Sequence, residues 1–376
     1  MNVRPTPRRR RSVAALLLLS VALAGGCKEN PGTPGASGPS GDSGMGSTDP
    51  AASASAAPGS ASATPGTATS ATPPATGASA TPPTNTTPTS PGSWLKVDAA
   101  AQAAATKAFF ARKPKPVTGN PVKVPEFNVG CTTSHRNNDD PIVLPKLKGA
   151  SHNHTFWGNK STNANSTAES LRASTATTCN SPQDQSAYWI PTMIQKGKVV
   201  EPDEVTVYYG SRLKDPSKTQ PFPFGLRMVT GNAKNQVDTP DKQGNHFWCA
   251  GIGGEIGRSA DKVMPVCAKT AHIVRQISFG DCWDGKHLDS PDHKAHMADF
   301  DNRTGACPSS HPVPVPSVSF VISYPLSANT DGVSLASGTT FSMHADFFNA
   351  WQDDALAARV RNCLDQGVKC NSAGNF

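Results

Sequence analysis

Three short segments gather the side chains that titrate or ligate near neutral pH. The first, SHNHTFWGN at residues 151–159, sets His152 and His154 two positions apart. On a strand, side chains alternate between faces, so both imidazoles project to the same side. Neighbouring imidazoles suit a metal ion or a paired acid and base; the plainer alternative is a polar turn after Gly149 with two exposed histidines. The second, CWDGKHLDSPDHKAHM at residues 282–297, packs His287, Asp289, Asp292, His293 and His296 together. His293 and His296 would share a helical face at i, i+3. Asp289 or Asp292 would orient an imidazole through its second nitrogen. The plainer alternative is a solvated loop pinned at Cys282. The third, MHADFFNAW at residues 343–351, carries His344 and Asp346 at the entrance to an expected helix, where Asp346 would serve equally as the N-cap.

Convergence of the first two segments on one cleft would give one of two kinds of centre. In a metal centre, His152, His154, His293 and His296 would bind a divalent ion such as zinc at about 2.0–2.1 Å, with a position left for water. In a metal-free centre, these histidines would be acid and base with Asp289 or Asp292 as orienter, and Arg227 or Arg136 would neutralise a substrate carboxylate or oxyanion. His344 is a further catalytic candidate, and Asp140 stands beside Arg136 in RNNDDPI. Tyr188, Trp189, Tyr208 and Tyr209, with arginines nearby, would form a sugar-stacking platform if exposed; burial in a core is their default.

The elements that must position these residues read as strands. Short apolar runs at 204–209, 226–230, 273–279 and 318–324 are broken by Gly, Pro, Asn and Asp. This pattern predicts a mostly β body, an antiparallel sandwich or jelly roll. A late C-terminal helix is expected over 346–363, where Phe347, Trp351, Leu356, Val360 and Cys363 recur near helical spacing. The body spans residues 114–376 and is long enough for one sizeable core. An Ala-rich arm precedes it at 93–113.

Residues 27–92 are almost wholly Pro, Gly, Ser, Thr and Ala, a composition that cannot bury enough surface to offset its ordering entropy. They read as a stalk. Residues 1–26 have the layout of a signal peptide: Arg8 to Arg11, an apolar run over 13–24, then Ala24, Gly25 and Gly26 before Cys27. The run is too short for an α-helical span, which needs roughly 20 apolar residues. The small residues before Cys27 resemble a lipobox, with Ala24 where Leu is usual, so Cys27 is the expected lipidation site. Simple secretion is the alternative, and the arginines before Ser12 and Val13 loosely resemble a twin-arginine export signal. The membrane is then reached through the anchor alone, on the outer face of the cell.

Nine cysteines include Cys27 and an even set of eight, Cys131, Cys179, Cys249, Cys267, Cys282, Cys307, Cys363 and Cys370. In an exported chain such a set reads as a disulfide framework. Many connectivities are open; sequence-near bridges such as Cys282–Cys307 and Cys363–Cys370 are the simplest. No CxxC pair occurs, which argues against a zinc ribbon or a redox motif. The formal charge of +7 falls to +2 once the five arginines of residues 1–26 are set aside. A near-neutral chain without a basic stripe lacks the footprint of a nucleic-acid binder.

The ordered motifs DPI, SHxH, TTC, YWxP, FPxGLRM, CWDG, DHxxHM, CP and HADF resemble the secreted family catalogued as domain of unknown function nineteen ninety-six. The resemblance covers about Asn128 to Cys370. It implies an exported protein of the kind found in fungi and actinobacteria, sometimes joined to carbohydrate- or wall-binding modules. That family often reads CTTC where this chain has Ala176 before Thr177, Thr178 and Cys179, so a disulfide pairing does not carry over. The expected function is a hydrolase or lyase acting on extracellular polysaccharide or wall glycan through the histidine-rich centre. The alternatives are a non-catalytic glycan-binding module and a metal-binding surface protein. The anchor has its own test: Cys27→Ser is expected to release the mature protein from membranes on fractionation, and unchanged retention would remove lipidation.

Overall fold

A computed structural model of the chain describes residues 93–117, 119, 121–238, 246–251 and 263–375. The expected signal peptide, Cys27 and the stalk lie outside the described residues. In chain order the elements that matter are β1 (Leu95–Lys96), α1 (Ala99–Ala111), β2 (Glu126–Cys131), β3 (Thr133–Asn137), β4 (His154–Gly158) and α2 (Ala168–Ala173). They continue as β5 (Ala187–Pro191), β6 (Glu204–Gly210), β7 (Arg227–Gly231), β8 (His246–Gly251), β9 (Ala271–Ser278), β10 (His287–Asp289), β11 (Ser317–Tyr324), β12 (His344–Phe348) and α3 (Asp353–Arg359).

Two five-stranded sheets dominate, with strand orders β8-β9-β11-β6-β2 and β3-β4-β5-β12-β7. Every pairing within them is antiparallel. The expected mostly β, disulfide-stapled body is therefore present, with its strands close to the runs read from sequence. Alternation decides which side of the second sheet faces the first. Trp157, Tyr188, Ile190, Met228, Ala345 and Phe347 join the main core, while Phe156, Ala187, Trp189 and Phe348 form a separate cluster on the outer face. Across the interface Phe320 of β11 meets Trp157 and Tyr188, at ring-centroid distances of 5.2 and 5.6 Å.

One polar chain bolts the sheets together inside this apolar layer. The Trp351 indole N–H donates to the Tyr209 hydroxyl at 2.9 Å, Tyr209 contacts the Tyr188 hydroxyl, and Tyr188 donates to Asp184 at 2.5 Å. Tyr188 belongs to β5 and Tyr209 to β6, so the chain fixes the site-bearing sheet against its partner. The four residues are fully buried. Tyr188 and Trp189 are thus core residues and offer no sugar platform; Tyr208 is half-buried on β6.

The late helix begins later than the sequence pattern suggested. Residues 344–348 form β12, and the helix runs from Asp353, continuing through Val360–Leu364 in a wider turn. Asp346 is consequently not an N-cap. The sequence HADFF alternates His344, Asp346 and Phe348 with Ala345 and Phe347, and burial of both faces favours the strand; helical spacing returns only after Trp351.

All eight cysteines of the body are paired, as Cys131–Cys179, Cys249–Cys267, Cys282–Cys307 and Cys363–Cys370. The Cys282–Cys307 bridge closes the base of the segment that holds His293. Ahead of the body, β1 pairs with β10, α1 is capped by Asp98 accepting from the Ala101 N–H, and Trp94 packs against the His287 ring. Among the described residues no helix is long and apolar enough to cross a membrane.

The buried polar chain has a pH signature. Burial pushes the Asp184 carboxyl up from 3.8 to about 6, against hydrogen bonds from Tyr188 and Ser186 that pull it down. A raised carboxyl binds its proton more tightly folded than unfolded, so its contribution is full below pH ~4 and is lost as pH rises toward 6. Asp184→Asn is expected to remove this dependence. The stability difference between wild type and variant should move against wild type by roughly 2–3 kcal/mol between pH 4 and pH 7, read by denaturant unfolding. A constant difference would contradict the burial assigned to Asp184.

Candidate metal centre

The outer face of the second sheet carries the site because two strands, β4 and β12, deliver polar residues there in register with β5 and β7. Phe156, Trp189, Asp346 and Val229 form one cross-strand row. One step along, His154 lies opposite Pro191 and His344 opposite Gly231. His152 precedes β4 by two residues and closes the group. Gly231 is required where it stands: its φ is +79°, and a Cβ would come within 2.3 Å of the Met343 carbonyl oxygen and 2.7 Å of His344 Cα. Only glycine lets the edge strand approach the strand that holds His344 this closely.

Three imidazole nitrogens converge. His152 Nε2 and His154 Nε2 lie 3.2 and 3.4 Å from His344 Nε2. The remaining nitrogens decide what these distances mean. His154 Nδ1 lies 3.0 Å from the Asp139 carbonyl oxygen and His344 Nδ1 lies 2.9 Å from that of Ser342. A carbonyl only accepts, so both Nδ1 atoms carry protons, and in the neutral rings both Nε2 atoms are bare acceptors. Two acceptors 3.4 Å apart repel. A proton on His152 Nε2 would satisfy its contact with His344 and leave the His154–His344 contact unresolved. A cation shared by all three resolves both. Tetrahedral zinc at 2.0–2.1 Å places adjacent nitrogens about 3.3–3.4 Å apart, close to the 3.2 and 3.4 Å of the two contacts with His344. Backbone carbonyls gripping Nδ1 are also the usual outer support of metal-bound histidine.

Burial keeps these rings neutral and therefore ready to ligate. His344 is pushed down to about 4, first by burial and then by the charges of His152 and Lys294. His154 is held well below its ordinary value by burial, then by His344 and His152, and burial lowers His152 too. His154 and His344 are enclosed, whereas part of His152 reaches solvent.

Behind the imidazoles sit two carboxyls. Ligand atoms of Asp140, His154 and Asp346 all lie within 4.8 Å of one another, as do those of His152, His154 and His344. Asp140 accepts from the Ile142 and Val143 N–H groups at 3.0 and 2.8 Å, and burial raises it to about 6. Asp346 is fully buried, and neither of its oxygens meets a hydrogen-bond donor. Burial, then the charge of Asp140, hold its carboxyl well above the usual range. An orphaned carboxylate costs several kcal/mol or more, and a bound ion is one of the standard explanations for such a group.

The second histidine segment approaches the same centre, though without the helical face expected for it. The His293 carbonyl accepts from the Val229 N–H at 3.1 Å, and Lys294 Nζ donates to the Gly231 carbonyl. These β7 residues are opposite Asp346 and His344. His293 Nδ1 lies 2.9 Å from Asp289 Oδ1. His296 does not join the imidazoles. It is fully enclosed, with Nδ1 2.8 Å from the Ser290 hydroxyl and Nε2 2.7 Å from the Arg227 carbonyl, so neither nitrogen is free to ligate. Asp292 caps this loop by accepting from the Lys294 and Ala295 N–H groups. Arg227 pairs with Asp289 at 3.5 Å and lies over the Phe348 ring, while Arg136 pairs with Glu201.

A family model described as Domain of unknown function (DUF1996) matches residues 140–351, more than half of the chain. The chain belongs to this family. The matched span contains His152, His154, His293, His344 and Asp346, so the whole centre is part of the DUF1996 domain. No curated protein and no solved structure matches the chain.

Sequence reasoning weighed a site role for Asp346 evenly against an N-cap and did not group His344 with the first pair as a ligand. The available signal was the two-residue period of HADFF, which puts His344 and Asp346 on one strand face. The geometry separates two classes of histidine in this DUF1996 domain. His296→Ala should lower stability by about 2–4 kcal/mol, from a buried cavity and lost hydrogen bonds. His152→Ala, at the solvent edge, should change it by less than about 1 kcal/mol. Thermal unfolding of the metal-free proteins reads the difference, and equal effects would contradict these assignments.

Proposed function

We propose that this domain holds one divalent transition-metal ion, zinc being the best fit, on His152, His154 and His344, with Asp346 supplying negative charge behind them. The observation that carries the proposal is the pair of proton-bearing Nδ1 atoms tied to the Asp139 and Ser342 carbonyls. They leave His154 Nε2 and His344 Nε2 facing each other as lone pairs at 3.4 Å. Lys294 opposes a cation here, but its charge is partly spent on the Gly231 carbonyl. A bound cation would draw the protons from the Asp140 and Asp346 carboxyls, which would then offer more negative charge than Lys294 removes.

On this centre we favour metal-assisted hydrolysis or elimination on an extracellular polysaccharide over passive metal storage. Three protein ligands with a fourth position open is the pattern of catalytic zinc, whereas structural zinc is closed by four. Partly exposed His152 supplies the open side. The oxidised cysteines fit an oxidising compartment, in keeping with an N-terminal sequence that reads as an export signal followed by an anchored stalk. A glycan-binding platform finds less support, because Tyr188 and Trp189 are buried.

Metal-stripped protein titrated with Zn²⁺ should take up one ion per chain, and His344→Ala should take up less than a fifth of that. Zinc-loaded protein incubated with wall glycan or β-glucan should release reducing ends or unsaturated sugars, and a chelator should stop the release. Failure of zinc uptake would overturn the metal centre. Full uptake with every polymer left intact would leave a metal-binding surface protein and overturn the catalytic half.

A further inference from the structure

We propose that the Asp289–His293 pair is the proton-transfer arm of the metal centre, with His293 the catalytic acid and base and Asp289 its positioning residue. The inference rests on the metal-centre reading above and adds a residue that does not ligate.

Three observations support it. First, His293 is oriented as a catalytic imidazole is. Its Nδ1 is held by Asp289 Oδ1 at 2.9 Å, and Asp289 is itself held by the Ser290 N–H at 2.9 Å and by Arg227 at 3.5 Å. A carboxylate on Nδ1 fixes the tautomer in which Nε2 accepts a proton, and stabilises the imidazolium that results. Nε2 has no hydrogen-bond partner among the described residues. His296, three residues on, has both nitrogens engaged.

Second, the loop sets His293 at the margin of the centre. Its carbonyl is bonded to Val229, which is paired with Asp346, and the next residue, Lys294, reaches Gly231, which is paired with His344. The charge of His293 acts on Asp140, whose carboxyl lies within 4.8 Å of a His154 ring nitrogen. The charged and titratable groups facing His293 are therefore Asp289 and Arg227 on one side, and Asp140 and Lys294 on the other.

Third, His293 holds a left-handed backbone at φ +58°, one of three non-glycine residues among those described to do so. Few non-glycine residues adopt this region, and it is retained where the surroundings over-determine it, often at functional sites.

The step balances without any further reactant. With an ion at the centre to acidify a water molecule, His293 Nε2 would take that water's proton as the water oxygen forms its bond to the electrophilic carbon. The bond from that carbon to the leaving oxygen breaks, and His293 returns the proton to the leaving oxygen. No electron is gained or lost by protein or metal.

Cobalt-substituted protein tests this apart from the metal reading. Asparagine tolerates left-handed backbone, so His293→Asn is the variant least disturbing to the loop. It should retain one Co²⁺ per chain with affinity within threefold of wild type. The midpoint at which the visible cobalt bands respond to ionisation of bound water between pH 5 and 9 should move by at least half a pH unit. Hydrolysis of p-nitrophenyl acetate should fall at least 100-fold, within the usual range for loss of a general acid or base. Asp289→Asn should shift the same midpoint in the same direction without cobalt loss. If His293→Asn loses cobalt, His293 is a ligand and the proposal is wrong. If the variant keeps its cobalt with the band midpoint unmoved, His293 is a bystander and the proposal is equally wrong. If wild type takes up no cobalt, the metal centre itself fails, an outcome distinct from both.

Discussion

Three imidazoles pressed together, two of them with their lone pairs inward, constrain this structure more than any other contact. Water would relieve such a cluster, but His154 is fully buried and His344 nearly so. Rotation would relieve it, but the Asp139 and Ser342 carbonyls hold the far nitrogens. Beneath them lies a carboxylate with neither oxygen bonded. A fold that encloses lone pairs and an unpartnered carboxyl side by side is arranged around positive charge.

The rest of the molecule makes that arrangement rigid. The second sheet delivers His154 and His344 from non-adjacent strands, with β5 between them, and its inner face is packed by Trp157, Tyr188 and Phe347 against the first sheet. The hydrogen-bonded chain from Trp351 to Asp184 prevents the sheets from sliding. Outer cover comes from the segment around Ile142 and from α2, whose Ala168 and Leu171 pack on Phe156 and Trp189. Metal sites depend on ligands held within fractions of an ångström. Two buried sheets meet that demand better than a loop cluster would, and the loop between Asp289 and His296, held by its own hydrogen bonds, supplies His293 and Lys294 at the edge.

Much of this was legible in the sequence, for physical reasons that differ by residue. His152 and His154 were readable as a pair because a two-residue spacing has one meaning on a strand. The strands at 204–209 and 318–324 were readable from short apolar runs broken by turn residues, and the bridges Cys282–Cys307 and Cys363–Cys370 from proximity along the chain. His344 and Asp346 were harder. Phe347, Trp351 and Leu356 lie near helical spacing across what is in fact a strand followed by a helix, and that spurious period concealed a genuine period of two. His296 was over-read because density of histidine in a segment says nothing about where each ring points. One of its neighbours, His293, reaches the centre's margin, while His296 turns inward to Ser290 and Arg227. Which distant segments meet is a property of sheet order, and sheet order leaves no local mark.

The most direct measurement is X-ray absorption at the zinc edge of the zinc-loaded domain. A first shell containing three imidazole nitrogens at about 2.0–2.1 Å, with most of the bound zinc lost in His344→Ala, is the result expected from the convergence of His152, His154 and His344. A shell of oxygen or sulfur without imidazole scattering, or a protein that retains no metal after dialysis, would contradict it.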